Sequence, residues 1–353
     1  MSYFNEAYSY YCGIDLHARR LYACIIDCEG NVVEHRRLLS NEAAFLELIE
    51  PYRDQVVVGA ECVFCWYWLA DACQREGIRF VLGHALYMDR IHNGKTKTDK
   101  RDSANLAGML RSGSFPLAYA YPSRFRATRD LVRRRRMLVR QRSEAIVHIR
   151  QVFMQRGLAK PPYNLKRKSE RDRVLDCFVD EPVLAAQIAI DLETIRHREA
   201  QIKAVERFLV EQTEVEAGET LRRLQTIDGI GKTLAMTLLY EIEQIERFPR
   251  VQDFVSYCRL VKPVRRSDGK ATGGGGKKKG NQHLRWAIGE AVTFMLKKEE
   301  LKRYKDRLQG RYGKGKALSI LSAKLGRCIY YMLTNQEDFS LDRFLGKRLG
   351  AAA

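Results

Sequence analysis

The sequence predicts an α/β domain at its N-terminal end and a mainly helical remainder, and three observations carry that expectation. Short apolar runs rich in Val, Ile and aromatic residues, separated by tight polar turns, occupy the chain up to Leu86. From about Pro122 to Thr220 such runs stop, and long stretches of Arg, Lys, Glu, Gln, Leu, Ile and Val replace them. Beyond Leu221 apolar segments of helical spacing return, punctuated by glycine-rich turns.

Tyr10 to His17 and Leu21 to Cys28 read as a strand pair, and Val32 to Leu39, after the turn Glu29-Gly30-Asn31, as the third strand of an antiparallel meander. Ser40-Asn41-Glu42 caps an amphipathic helix over Ala43 to Tyr52, with Phe45, Leu48 and Ile49 on one face. Gln55 to Glu61 is a continuous apolar run of the kind buried in a parallel sheet, and it ends on a carboxylate. A helix over Phe64 to Glu76 and a strand over Arg79 to Leu86 complete the domain. Three strands, a helix, then strand, helix, strand is the element order of ribonuclease H-like folds.

Two or three helices forming an extended or coiled-coil arm are expected next, broken at Gly157 to Asn164, where adjacent prolines demand a loop. Leu224 to Leu239 places Gly229 and Gly231 between apolar helical segments, like a helix-hairpin-helix whose glycines admit a phosphate to backbone amides. A helix near Asp253 to Cys258, a glycine- and lysine-rich stretch to Asn281, a helix to Leu296 and another over Leu318 to Leu333 follow. The expected domains are therefore 1–121, 122–220 and 221–353.

The chain has 353 residues, ample for two or three cores, and its 45% hydrophobic content is ordinary for a soluble globular protein. Its charge is not ordinary. Against 43 Asp and Glu stand 62 Lys and Arg, a net charge of +19, which points to a nucleic-acid partner bound through its phosphates. The sequence has neither a run of about 18 apolar residues nor a charged-then-apolar leader, so a cytoplasmic protein without membrane association is expected. Nine cysteines, an odd number, fit free thiols in a reducing compartment. Cys62 and Cys65 have metal-ligand spacing, but no second pair or histidine follows at zinc distance, so both are expected to be buried thiols.

Four carboxylates are candidates for one metal site: Asp15, Glu61, Asp99 and Asp102. An ionised Asp15 inside an apolar strand is expensive unless a cation or donor meets it. Read separately, Asp15 marks a strand end and Glu61 a helix start, and Lys95 to Asp102 is a solvated polar run. Read together they converge, because the first and fourth strands are neighbours in this fold and a helix beginning near Thr98 puts Asp99 and Asp102 on one face. Such oxygen ligands suit Mg²⁺, with Mn²⁺ as a substitute, and two ions roughly 3.5 to 4 Å apart would stabilise the attacking and leaving oxygens of a phosphodiester. Lys97, Lys100 and Arg101 would face phosphate. So would Arg133, Arg134, Arg135, Arg136 and Arg140 on the arm, and Lys270, Lys277, Lys278, Lys279 and Arg285 further on; the competing reading of each run is a solvated helix face. His17, His84 and His92 read as structural or surface residues, His17 lying two residues after Asp15 at the metal edge.

GIDLH around Asp15, GAE at Glu61 and KTDKRD ending at Asp102, with LQTIDGIGKTLA, the stretch from Tyr257 to Lys270 and KKKGNQHLRWAIGEA, resemble DEDD-type insertion-sequence transposases, whose N-terminal domain is similar to the RuvC resolvase. The resemblance spans nearly the whole chain. It implies a RuvC-like catalytic domain, a helical arm, and a C-terminal module with a nucleophilic serine matched by Ser267. It further implies a recombinase of a bacterial mobile element that joins donor and target DNA through a phosphoserine intermediate, guided by a structured non-coding bridge RNA. The implied assembly is a homodimer or homotetramer with sites completed in trans, associated with the nucleoid when active. The sequence departs from the family at Cys62-Val63-Phe64-Cys65, where a small hydroxyl residue and glycine are usual, and at Asp268, an acid beside the serine. Two other readings remain open: a RuvC-like structure-specific nuclease using activated water, and a non-catalytic nucleic-acid-binding protein.

Overall fold

Strands buried on both faces build the first compact unit, Met1–Ser123. The computed structural model describes residues 2–91, 98–262, 266–267, 270–271 and 279–346, with the backbone alone at 89–91, 266–267 and 270–271. Strands β1 (Tyr10–Leu16), β2 (Arg20–Asp27) and β3 (Val32–Leu39) form the meander, and α1 (Glu42–Ile49) follows, capped by the Asn41 side chain, which accepts from the Ala44 amide. Then come β4 (Val56–Glu61), α2 (Tyr67–Arg75), β5 (Arg79–Gly83), α3 (Ala85–Ile91) and α4 (Asp99–Arg111). The sheet order is β3-β2-β1-β4-β5, with β1 antiparallel to β2 and parallel to β4, and β4 parallel to β5. This mixed sheet is consistent with a ribonuclease H-like α/β domain.

The expected strands and helices are present, with shifted ends. The helix after β4 starts at Tyr67 rather than Phe64, because a turn at 64–65 intervenes, with the Val63 amide donating to the Glu61 carbonyl. The last strand stops at Gly83, since His84 turns the chain into α3 through amide donations from Tyr87 and Met88 to its carbonyl.

Two cores lie on opposite faces of the sheet. Cys12, Ile14, Val56, Val58 and Ala60 pack with Phe45, Leu48 and Leu69 from α1 and α2. Tyr11, Cys24, Val57 and Val81 pack on the other face with Leu106, Ala107 and Leu110 from α4. Gly13 and Gly59 belong to that second face, and α4 lies hard against them: a Cβ at Gly13 would fall 2.3 Å from the Ala107 nitrogen, and one at Gly59 2.9 Å from a Leu110 methyl.

The second unit, Arg124–Ala353, is mainly helical, with one short hairpin among its described residues. Helix α5 (Ser123–Gln155) and helix α7 (Pro182–Gln225), with the short α6 (Lys168–Arg171) between them in the chain, form a long antiparallel pair. Its direction follows from ion pairs of Arg135 with Glu206, His148 with Asp191 and Arg156 with Glu181. Ile149, Phe153, Val174, Phe178, Ile188 and Leu192 form a core at one end. Helix α7 is not uniform: Ala217 has non-helical backbone angles.

The chain continues through α8 (Lys232–Ile242), α9 (Val251–Tyr257), β6 (Arg266–Ser267), β7 (Lys270–Ala271), α10 (Gln282–Met295), α11 (Glu299–Tyr312), α12 (Lys314–Asn335) and α13 (Leu341–Leu345). A large core joins α8, α9, α10 and α12, and also takes Val132 and Leu209 from α5 and α7. Gly229, at φ +85°, makes the turn before α8; a Cβ there would stand 2.6 Å from Phe294 Cβ, so this glycine serves close packing on α10. Among the described residues no helix is long and apolar enough to cross a membrane.

Candidate functional site

Two strands and one helix carry the four acids. The parallel ladder of β1 and β4 ends at Ile14 opposite Ala60, so the next residue on each strand is a carboxylate, Asp15 beside Glu61. Because side chains alternate along a strand, each acid shares a face with the glycine two residues before it. Gly13 and Gly59 thus admit α4 to the face on which Asp15 and Glu61 end. Thr98 caps α4, its hydroxyl accepting from the Arg101 amide, and puts Asp99 and Asp102 in the first turn. Their negative charge there complements the helix dipole. Ser103 fixes the helix laterally, its hydroxyl donating to the Lys100 carbonyl and lying 3.0 Å from His35 Nε2 on β3.

The closest group contains Asp15, Asp99 and His17. One ligand atom from each lies within 4.8 Å of the other two. His17 Nε2 is 3.3 Å from Asp15 Oδ2 and 3.7 Å from Asp99 Oδ1. Burial pushes the Asp15 carboxyl above its ordinary value; His17 opposes this, while Asp99 and Asp102 raise it further. The site therefore has more negative charge than it neutralises. That surplus, on a half-buried acid with exposed neighbours, fits a divalent cation held through oxygen.

The basic contacts expected between Lys95 and Asp102 divide. Lys100 and Arg101 are exposed on the first turn of α4, and Lys97 lies outside the described residues. Cys62 and Cys65 do not form the expected buried pair. Cys62 is exposed and Cys65 half-buried, because they occupy the turn after Glu61 rather than the strand.

In the second unit, Ser267 and Lys270 face each other in the two-strand hairpin, with Ser267 paired to Lys270 and Arg266 to Ala271. Asp268, Gly269, Lys277 and Lys278 lie outside the described residues, as do the side chains of Ser267 and Lys270.

The arginine run of α5 is largely engaged within the protein. Arg133 donates to both oxygens of Glu241, a fully buried carboxylate on α8, and Arg129 donates to the same group. Arg135 pairs with Glu206. Arg136 lies 3.1 Å from His283 Nδ1 and stacks on Trp286, 4.6 Å from its ring centroid. Arg134 is exposed, and so are Arg140, paired with Glu144 one turn on, and Arg285. Lys279 is half-buried.

Sequence reasoning missed the paired glycines and the Glu241 network. The first carried a signal, since Gly-x-Asp and Gly-x-Glu recur at matching ends of two strands. The second carried none, because its members are spread from Arg129 to Asn281.

Residues 12–156 match a family model described as "Transposase", of the DEDD type, and residues 221–306 match one described as "Transposase IS116/IS110/IS902 family". The chain is also similar to the transposase for insertion sequence element IS1111A of Coxiella burnetii (strain RSA 493 / Nine Mile phase I), with 24% identity over 347 residues, 93% of this chain and 90% of that protein.

Proposed function

Since this chain belongs to the IS116/IS110/IS902 family of transposases, we propose that it cuts and rejoins DNA with two sets of groups, the acids of the first unit and Ser267 of the second. The observation that carries this reading is the placement of Asp15 and Glu61 at the common end of β1 and β4, with Asp99 and Asp102 on the helix seated against them. Asp15, Glu61, Asp99 and Asp102 would hold Mg²⁺, or Mn²⁺ in its place, which when bound polarises the phosphate.

Ser267 Oγ attacks a DNA phosphorus. A new Oγ–P bond forms, the P–O bond to one strand end breaks, and the departing deoxyribose oxygen takes up a proton. The hydroxyl proton of Ser267 is lost as its oxygen attacks. The phosphoserine ester conserves the bond energy, so a hydroxyl of another strand can reverse the step and rejoin DNA without ATP. Lys270, at the register position opposite Ser267, supplies a cation suited to the developing charge. His17 is suited to orient Asp15 and Asp99.

The +19 charge supports a nucleic-acid partner in addition to the DNA being joined, and the family resemblance makes that partner a structured guide RNA. Pairing would then read sequence while the protein reads shape and phosphates. Since acids and serine occupy different compact units, the reaction requires the two to meet, within one chain or between copies in a homodimer or homotetramer.

The test is a nicked duplex carrying the ends of the encoding element, incubated with Mg²⁺ and the RNA that co-purifies with the protein. The expected result is a covalent protein–DNA adduct in the wild type and none with Ser267→Ala, which still binds DNA. Free cut ends without an adduct in the wild type would instead establish a water-using nuclease.

A further inference from the structure

Strands β1, β4 and β5 run parallel, and the chain leaves β4 through a turn tied to the ends of its two neighbours. The Cys62 amide donates to the Gly83 carbonyl on β5 at 3.0 Å, and the Val63 amide to the Glu61 carbonyl at 2.8 Å. Cys65 Sγ lies 4.0 Å from the Leu16 carbonyl on β1. Val63 and Cys65 pack on the core beneath, which takes in Trp66 outright, stacked on Phe80 with ring centroids 6.3 Å apart. The turn is thus fixed on both sides of its middle residue.

That middle residue is Phe64, 85% exposed, more than any other large apolar side chain described in the first unit. A phenyl ring is stabilised by leaving water, yet this turn holds one out in it while the residues on either side reach the core.

The position counts as much as the exposure. Glu61 is three residues back, at most about 11 Å away, or about three nucleotide steps of duplex. Asp15 stands beside Glu61 at the end of the neighbouring strand. The carboxyl ends of parallel strands are where open α/β sheets bind their ligands. With DNA as that ligand, its bases are the flat apolar surfaces that an exposed ring can meet. A base inside a duplex already has a neighbour on each face, so the ring needs one that has left its pair. Phenyl has no hydrogen-bonding group, which makes such a contact tolerant of base identity.

We propose that Phe64 is a stacking residue for an unpaired DNA base close to the phosphate on which the four acids act. The proposal rests on the reading of those acids as the site that cuts DNA. A base stacked on a ring in a fixed turn keeps the strand open beside the acids and sets which phosphate reaches them.

The test removes each half of the contact in turn, using the protein with its co-purifying RNA and Ca²⁺ in place of Mg²⁺, so that binding is measured without cutting. Phe64→Ala should bind duplex carrying the element ends about tenfold more weakly, within the range for one base on one aromatic ring. Phe64→Leu should lose as much, whereas Phe64→Trp should bind as the wild type does. Melting temperatures should be unaltered, because the side chain is exposed. Abasic sites placed one at a time along the element end should include one position, within about three nucleotides of the phosphate cut in Mg²⁺, at which wild type and Phe64→Ala bind equally. 5-Iodouracil at that position should photocross-link to Phe64. The proposal is overturned by full affinity in Phe64→Ala, by full rescue with leucine, by a loss that no abasic site removes, or by a matching position remote from the cut. An equal loss in affinity for the RNA alone also overturns it, and makes the ring an RNA contact. Asp15→Asn protein that still cuts removes the reading of the acids instead, and the abasic comparison still decides whether Phe64 holds a base.

Discussion

Gly13 faces the backbone of Ala107 with no room for a side chain between them: a Cβ on this glycine would lie 2.3 Å from the Ala107 nitrogen and equally close to the Ser103 carbonyl oxygen. Helix α4 and strand β1 are therefore in backbone contact directly behind the acids. Gly13→Ala should force them apart and destabilise the first unit by about 3 kcal/mol, the upper range for an overpacked core. Gly108→Ala, on the same helix but with open space at the Cβ position, should stabilise by up to about 1 kcal/mol through helix propensity. Urea unfolding of both variants checks the pair, and equal effects would refute the packing argument.

Asp15 is ionised at a cost, because burial and the charges of Asp99 and Asp102 hold its carboxyl above the ordinary value. The folded unit favours the protonated form, so at neutral pH the carboxylate opposes folding. In a metal-free buffer Asp15→Asn should therefore stabilise the first unit, by about 1 kcal/mol, while abolishing DNA cleavage. The wild type should recover the difference on addition of Mg²⁺ or Mn²⁺, and the variant should gain much less. Calorimetry with and without the ion separates these outcomes.

Adjacent arginines on α5 should behave in opposite ways. Arg133→Ala leaves Glu241 short of a partner in a buried place and should cost about 2 kcal/mol. Arg134→Ala, on an exposed residue, should leave the melting temperature unchanged. Its effect should fall on nucleic-acid affinity, with the slope of log K against log salt reduced by about 1. A loss of stability in Arg134→Ala, or an unaltered salt slope, would count against this division.

His283 is held at about 4, mainly by burial and also by the charges of Arg133, Arg136 and Arg129, against the pull of Glu241. As pH falls from 6.5 toward 4, the unfolded chain takes up a proton that folded His283 resists, so stability is lost across that window. The Glu241 contribution is complete above 4.5 and is lost only below it, on the way to about 2. Between pH 6.5 and 4.5, His283→Gln should therefore show a flatter stability profile than the wild type, by up to about 1 kcal/mol per pH unit. Thermal melts over that range measure the difference.

The strands were legible because each is an apolar run ended by turn residues, and the start of α4 because Thr98 precedes two acids and a helical pattern. Asp15 and Glu61 could be paired from element order alone, since β1 and β4 must be neighbours once the meander precedes a crossover helix. The arginine run was not legible in the same way. Its charges looked available for phosphate, but Glu206, Glu241 and His283, 71, 108 and 147 residues away, take up Arg135, Arg133 and Arg136. No local pattern encodes that. His17 was placed only at the edge of the site by its spacing, whereas its Nε2 lies 3.3 Å from Asp15 and 3.7 Å from Asp99, which is on a helix more than 80 residues further along the chain.

The four acids proposed to share a cation come from three separate stretches, with Asp99 and Asp102 the last to be synthesised. A nascent chain on the ribosome has Asp15 early and Glu61 soon after, yet lacks the helix that completes the set until residue 102 and the rest of α4 have emerged. No cation can be held by all four before then. On the proposed reading the acid set is incomplete until the first unit has folded in full, and the proposed nucleophile Ser267 is made later still.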